Sequence, residues 1–266
     1  MKDKARKELL KRIDGYSRRL RLPGIRRYVE EEEVEANKAN LSYLEFLDGI
    51  LKKEYDLREE NSKKRRIRLA GFPAKKYLED LSVKDLPHDA KDKLKTLSSL
   101  DFIREGQNVI LAGNAGTGKT HISIGLGIKA CLAGFKVMFA TVPLLINKLK
   151  ESRSERTLQR LGSRFEKYDL VIADELGYIS FDKEGSELLF THLSLRAGRK
   201  STIITTNLSF ERWDEIFVDS VMTAAMIDRL THKSYMINMN GSSYRVKETK
   251  RWLQEEKERK EDSIKN

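Results

Sequence analysis

The sequence predicts an α/β fold, a parallel five-stranded sheet flanked by helices, with a small all-helical region ahead of it. Three observations predict it. From residue 107 onward, short apolar or β-branched runs alternate with longer amphipathic segments, the pattern of strands joined by crossover helices. Most of the short runs are apolar throughout, as strands buried on both faces must be. The first run, Val109-Ile110-Leu111-Ala112, is followed by Gly113-Asn114-Ala115-Gly116-Thr117-Gly118-Lys119-Thr120, which opens a helical segment. That is the pattern G-x-x-x-x-G-K-[ST] in a strand–loop–helix context.

The elements follow in order. Residues 1–28 are basic with sparse apolar positions and are broken by Pro23-Gly24, so they read as a helix or a loosely ordered arm. Glu30-Glu31-Glu32-Glu33-Val34-Glu35 is expected on a solvated helix face. Ser42-Tyr43-Leu44-Glu45 has capping-box form and precedes Leu47, Ile50, Leu51 and Tyr55 at helical spacing. This helix is expected to run through Lys63-Lys64-Arg65-Arg66-Ile67-Arg68 and to stop near Gly71-Phe72-Pro73, with Tyr77, Leu78 and Leu81 anchoring the helical domain over 1–81. Residues 82–106 form a linker and a leading helix. The α/β domain is expected over 107–246, with strands at Val109–Ala112, Val137–Thr141, Leu170–Ala173, Thr202–Thr206 and Tyr235–Met239. Helices are expected near 119–133, 143–166 (broken around Glu151–Ser154), 183–197 and 211–231. Residues 247–266 form a charged tail, either a solvated helix or disordered, with Glu255/Arg259 and Glu256/Lys260 at i,i+4 spacing.

Composition narrows the function classes. No apolar run is long enough to cross a bilayer, and the N-terminus lacks the apolar segment of a signal peptide. Cys131 is the only cysteine, and His88, His121, His192 and His232 show no ligand spacing, so neither a disulfide framework nor a zinc site is expected. A reducing cytoplasm fits. The net charge of +11 is unevenly placed: residues 1–28 carry a surplus of eight positive charges and residues 63–76 a surplus of seven, leaving the remainder net acidic. Clustered positive charge attracts a polyanion through counterion release. Nucleic acid is therefore the expected partner, with Lys63, Lys64, Arg65, Arg66 and Arg68 as the candidate DNA contacts.

The chemistry converges on a nucleoside triphosphate. Successive backbone N–H groups of the Gly113–Thr120 loop and the helix N-terminus behind it form a concave site for phosphates. Lys119 is expected to reach the β- and γ-phosphates and the Thr120 hydroxyl to sit on Mg²⁺; His121 completes the nucleotide-binding set. Asp169-Leu170-Val171-Ile172-Ala173-Asp174-Glu175 is an apolar strand ending in two carboxylates. Asp174 is expected to hold the Mg²⁺ shell and Glu175 to orient the attacking water, which a hydrolase needs. Thr205-Thr206-Asn207 ends the next strand, where a polar side chain can sense the γ-phosphate. Arg229 and Arg245 are of the type that stabilises a transferring phosphoryl group.

Gly113–Thr120, Asp174-Glu175-Leu176-Gly177-Tyr178-Ile179, Glu184-Gly185-x-Glu187-Leu188-Leu189-Phe190, Ser201–Phe210, Trp213, Asp228-Arg229-Leu230 and Ser243-Tyr244-Arg245 form one ordered series. It resembles the IstB-like transposition helper ATPases of bacterial insertion sequences, AAA+ P-loop NTPases related to DnaC-type helicase loaders. The resemblance spans about residues 38–246 and includes Phe46, Phe72-Pro73 and Thr96-x-x-x-Leu100-Asp101-Phe102-Ile103; Ala173 departs from the usual pattern. It implies an ATPase that assembles as a homo-oligomer on double-stranded DNA, deforms it and delivers it to a cognate transposase in the bacterial nucleoid. It further implies Asn207 as phosphate sensor, Arg229 as an arginine finger acting in trans, and Arg245 as a second sensor in cis. A helicase loader is the alternative with the same catalytic residues. A metabolic kinase is disfavoured by Asp174-Glu175, the two arginines and the basic N-terminal region.

Overall fold

The structure, a computed structural model, describes residues 2–178, 180–215, 217 and 219–265; Ile179 of the motif series lies outside them. The chain divides into two compact units, residues 1–65 and 66–266. The division falls within a helix, earlier than the boundary at residue 81 expected from composition.

The first unit is built from α1 (Lys2–Leu20), α2 (Pro23–Ala39) and the N-terminal part of α3 (Tyr43–Ala70). The basic arm is thus helical. Pro23 opens α2, where a missing N–H costs nothing, and Asn40 closes it in the left-handed region at φ 50°. Ile50 is the one buried large apolar side chain among the described residues of this unit; Ser17, Glu32 and Glu54 are buried with it. The acidic run is therefore not simply a solvated face. Glu32 is turned inward and pairs with Lys53 at 2.7 Å, and Glu33 pairs with Arg6 at 2.7 Å, while Val34 stays exposed. The helical register places the second and third glutamates of Glu31-Glu32-Glu33 toward neighbouring helices. Composition alone does not reveal that register.

The second unit carries β1 (Val109–Ala112), β2 (Val137–Thr141), β3 (Leu170–Leu176), β4 (Ser201–Thr206) and β5 (Tyr235–Asn238), all parallel, in the order β2-β3-β4-β1-β5. Alternate residues of β1 to β4 enter opposite cores, whereas the edge strand β5 buries Ile237 on one face and leaves Met236 exposed on the other. Val109, Leu111, Ile172 and Ile203 pack against α6 (Lys119–Leu132) and α4 (His88–Leu97). Ile110, Val171, Ala173 and Ile204 pack against α7 (Val142–Ser154), α9 (Lys183–Ser194) and α10 (Ser220–Thr231). Because β4 lies between β1 and β3, the carboxyl ends of these three strands stand side by side. They carry the glycine-rich loop, Thr205–Asn207 and Asp174-Glu175 respectively. Ligands of open parallel sheets bind at such carboxyl ends.

Three local expectations change. Residues 211–231 are not one helix: a 3-10 segment, Phe210–Glu215, precedes α10, whose N-terminus is capped by Asp219 accepting from Val221 and Met222, each at 2.9 Å. The break in 143–166 falls after Ser154, before α8 (Leu158–Phe165), where Arg156 turns the chain at φ 58°. Leu78 and Leu81 pack against the core of the α/β unit rather than anchoring the helical one. A short α5 (Asp101–Arg104) leads into β1, and the charged tail is helical as α11 (Tyr244–Lys265). No helix among the described residues is long and apolar enough to cross a membrane.

Candidate nucleotide-binding site

The loop between β1 and α6 owes its shape to its glycines. Gly113, at φ 151°, passes so close to the backbone of Met239 and Asn240 that a Cβ would collide with both. Gly116, at φ 77°, is pressed instead against the Ser243 side chain, whose hydroxyl a Cβ would meet. The segment after β5 therefore straps the outside of the loop. Tyr244 N donates to Gly116 O at 2.9 Å, and the Asn240 side chain accepts from Asn114 N at 3.2 Å. Gly118, at φ 96°, turns the chain into α6.

Lys119 is buried, and its ammonium donates to the carbonyls of Gly113 and Asn114 at 2.6 and 2.7 Å. Burial pushes its pKa down to about 8; the Asp174 carboxylate opposes this shift and the Arg245 guanidinium reinforces it. Thr120 Oγ1 donates to Asp174, 3.1 Å from either carboxylate oxygen, across the gap between α6 and β3. Asp174 is buried beneath it. Glu175 follows in the left-handed region at φ 65° and lines the cavity in front of the loop.

That cavity, about 400 Å³, is a fit for a small ligand. Ala115 through His121 form its floor, Glu175 and Thr205–Asn207 one wall, and Arg245 part of its rim. The structure thus brings together Gly116–Thr120, His121, Asp174, Glu175, Asn207 and Arg245. Arg229 is not among the lining residues. It is exposed on α10, with its guanidinium 5.0 Å from the centroid of the Phe190 ring on α9. His121 is committed to the carbonyl of Tyr77 at 2.8 Å, on the loop-facing side of residues 76–86.

Those residues are what sequence reasoning missed. Asp80, Leu81, Ser82, Asp85 and Leu86 also line the cavity. They lie in or directly beside two single-turn 3-10 helices, Leu78–Asp80 and Val83–Asp85, too short to leave a periodic signature. Asp85 is held by Ser82 and Lys247, which keep its carboxyl below the usual range, and so ties this wall to α11.

Fold, loop geometry and carboxylates agree with a sequence match. The profile of the family described as IstB-like ATP-binding protein matches residues 16–251. The chain belongs to this family. Among IstB-like relatives, an insertion-sequence ATP-binding protein from Pseudomonas aeruginosa is 35% identical over 233 residues, covering 88% of each chain. One from Geobacillus stearothermophilus is 34% identical over 248 residues, covering 93% of this chain and 98% of that one. The crystal structure of DnaI matches with a TM-score of 0.52 at 21% identity over 68% of this chain and 92% of that one. AMPPCP-bound DnaA from Aquifex aeolicus matches with a TM-score of 0.52 at 18% identity over 70% of this chain and 56% of that one. At these identities the likeness is one of fold, the AAA+ P-loop NTPase fold. The IstB-like chain is accordingly an ATP-binding protein.

The donor set also suits Mg²⁺. A hydroxyl and a carboxylate, already in contact, are hard oxygen ligands of the kind that hold this ion together with substrate phosphates and water. Of the candidate DNA contacts, Lys63, Lys64, Arg65, Arg66 and Arg68 all lie on the C-terminal part of α3. Two of them have partners within the protein. Lys64 pairs with Glu60 at 2.5 Å, and Arg66 Nε donates to Cys131 O at the end of α6 at 2.7 Å. Arg66 thus has a structural role that the charge run alone did not reveal.

Proposed function

We propose that this IstB-like protein is an ATPase that assembles on duplex DNA and acts beside a transposase, with each ATP site completed by a second copy. The observation that carries the hydrolytic part is the position of Glu175. Glu175 lines the cavity in front of the phosphate loop, where a base is needed to orient water against a γ-phosphate, and directly follows Asp174, which is hydrogen-bonded to Thr120. In this reading the loop N–H groups and Lys119 bind the phosphates, and Thr120 and Asp174 hold Mg²⁺. The ion, when bound, neutralises charge developing on the phosphoryl oxygens. Asn207 contacts the γ-phosphate or the water, and Arg245 contacts the nucleotide in cis.

Arg229 supports the assembly part. A transferring phosphoryl group calls for a cation, yet this arginine is exposed and absent from its own chain's cavity. In this reading it serves the cavity of a neighbour, coupling nucleotide state to oligomer state. The basic surplus of residues 1–28 and 63–76 supports duplex DNA as the template for assembly. The names of the relatives, which are ATP-binding proteins of insertion sequences, support the transposase of the same element as partner.

The test is phosphate release by the purified protein with Mg²⁺ and ATP, with and without duplex DNA. Glu175→Gln should bind ATP and release phosphate at least ~100-fold more slowly. Hydrolysis at the wild-type rate by this variant overturns the role of Glu175. Capture of a replicative helicase, in place of the transposase, overturns the choice of partner.

A further inference from the structure

Thr205 lies at the end of β4, fully buried, with its hydroxyl between the two carboxylate-bearing residues of β3. Its Oγ1 donates to Asp174 Oδ1 at 2.6 Å and accepts from the backbone N–H of Glu175 at 2.9 Å. Asp174 in turn accepts from Thr120 at 3.1 Å. The result is one unbroken chain, from the Glu175 N–H through the Thr205 hydroxyl to Asp174, and from there to the helix that follows the phosphate loop.

The chain exists because β3 leaves register there. Ala173 pairs with Ile204, but Leu176 pairs with Thr206, so β3 fits one extra residue against β4. In a regular strand adjacent side chains point to opposite faces of the sheet, and Asp174 and Glu175 could not serve one cavity. The bulge, with Glu175 at φ 65°, turns both toward the phosphate end. It also removes the Glu175 N–H from the regular ladder. The Thr205 hydroxyl takes that donor, and a hydroxyl is the side-chain group that accepts there while donating to the carboxylate.

We propose that Thr205 is a positioning residue for ATP hydrolysis, fixing the bulge that aims Glu175 at the nucleophilic water while holding Asp174 against Thr120. This rests on the hydrolytic reading above and adds to it a residue at the edge of the cavity that acts through the two residues its hydroxyl is bonded to, Asp174 and Glu175. Groups that orient a metal-binding or catalytic side chain in this way typically contribute 10- to 100-fold.

The test compares Thr205→Val with Thr205→Ser in the full-length protein, using phosphate release and equilibrium binding of a fluorescent ATP analogue. Valine keeps the volume and β-branching but neither donates nor accepts. It should lower kcat by about 10- to 100-fold while leaving analogue affinity within about 2-fold. Serine should restore kcat to within about 3-fold of wild type. In a Glu175→Gln background, Thr205→Val should cost less than it does in the wild-type background, because the part of its effect that passes through Glu175 is already lost and only the part through Asp174 remains. If Thr205→Val does not fold, the serine variant and the same comparison with Thr205→Ala carry the test. Wild-type kcat in a folded hydroxyl-free variant overturns the proposal, as does equal loss of kcat and affinity, or a serine variant as slow as valine. A wild-type protein that binds ATP without hydrolysing it overturns the hydrolytic reading instead, a result distinct from any of these.

Discussion

The Arg229 guanidinium lies 5.0 Å from the centre of the Phe190 ring, joining α10 to α9 on the surface and away from its own chain's cavity. The neighbouring Leu230 is buried in the core, so the backbone beneath Arg229 is fixed while its side chain faces out. Under the proposed assembly this exposed guanidinium is the one that would enter a second molecule's site. Arg229→Ala should keep ATP affinity within about 2-fold and lose at least ~10³-fold in turnover. Mixing it with Lys119→Ala, each inactive alone, should recover activity. In the proposed assembly, a mixed interface has Lys119 from one subunit and Arg229 from the other. Failure of the mixture to hydrolyse ATP, with both variants folded, would place the finger elsewhere.

Lys119 makes a second prediction through its pKa of about 8, depressed mainly by burial. Near pH 8 a substantial fraction of the free protein carries a neutral lysine. The negative phosphates of ATP favour the ammonium, so binding raises this pKa and takes up a proton. Uptake on binding means that affinity falls as pH rises, and the fall should begin as pH passes about 8. Titration calorimetry at pH 8.5 in buffers of different ionisation enthalpy should therefore show proton uptake by the wild type. Lys119→Met should abolish that uptake along with most of the affinity. A wild-type affinity flat between pH 7 and 9 would contradict a lysine titrating in this window.

What the sequence made legible was what short-range chemistry enforces. The glycines of Gly113–Gly118 are required by a backbone that passes against Met239 and Ser243, and the apolar run before Asp174 is required by burial on both faces of β3. Spacing alone locates both. The bulge at Glu175 was not legible, because it depends on the register of β3 against β4 and on a hydroxyl some thirty residues away. Nor was the wall formed by residues 80–86, since single turns of 3-10 helix show no period. The burial of Glu32 in a run of glutamates depended on Gly49, whose missing side chain makes room for its carboxylate. In each case a distant partner decided the outcome.

Glu54 should be a stability determinant of the helical unit. Its buried carboxylate accepts from the N–H groups of Gly24 and Ile25, at 2.6 and 3.0 Å, where α2 begins, and from Arg58 Nε at 2.6 Å. These are otherwise orphan donors at a helix N-terminus, where a negative charge is also favoured. Glu54→Ala, which leaves the Gly24 and Ile25 N–H groups without this acceptor, should cost roughly 2–3 kcal/mol, and Glu54→Gln, which keeps an acceptor without the charge, roughly 1–2 kcal/mol. Urea unfolding of the full chain followed by helical circular dichroism measures both. Equal stability of the alanine variant and wild type would show that water satisfies these donors as well as Glu54 does.

The basic end of α3 should separate into two classes of arginine and lysine. Arg66 donates to the Cys131 carbonyl, one of the last carbonyls of α6, where a cation also meets the negative end of the helix dipole. Its removal leaves a half-buried carbonyl without this donor. Arg66→Ala should therefore destabilise the α/β unit by roughly 1–2 kcal/mol, seen as a lower urea midpoint, and should change the salt dependence of DNA binding little. Arg68 is exposed, as are Lys64 and Arg65, and Lys63 is half-exposed. If these side chains meet phosphates, each neutralisation should flatten the slope of log affinity against log salt by about 0.9. It should also weaken binding to unrelated duplexes alike, since phosphate contacts carry no sequence information. Lys64, paired with Glu60, should show the smallest effect of the four because it exchanges one anion for another. Fluorescence anisotropy with two duplexes of different sequence across a salt series distinguishes the classes. A slope that moves for Arg66→Ala and not for Arg68→Ala would reverse the assignment.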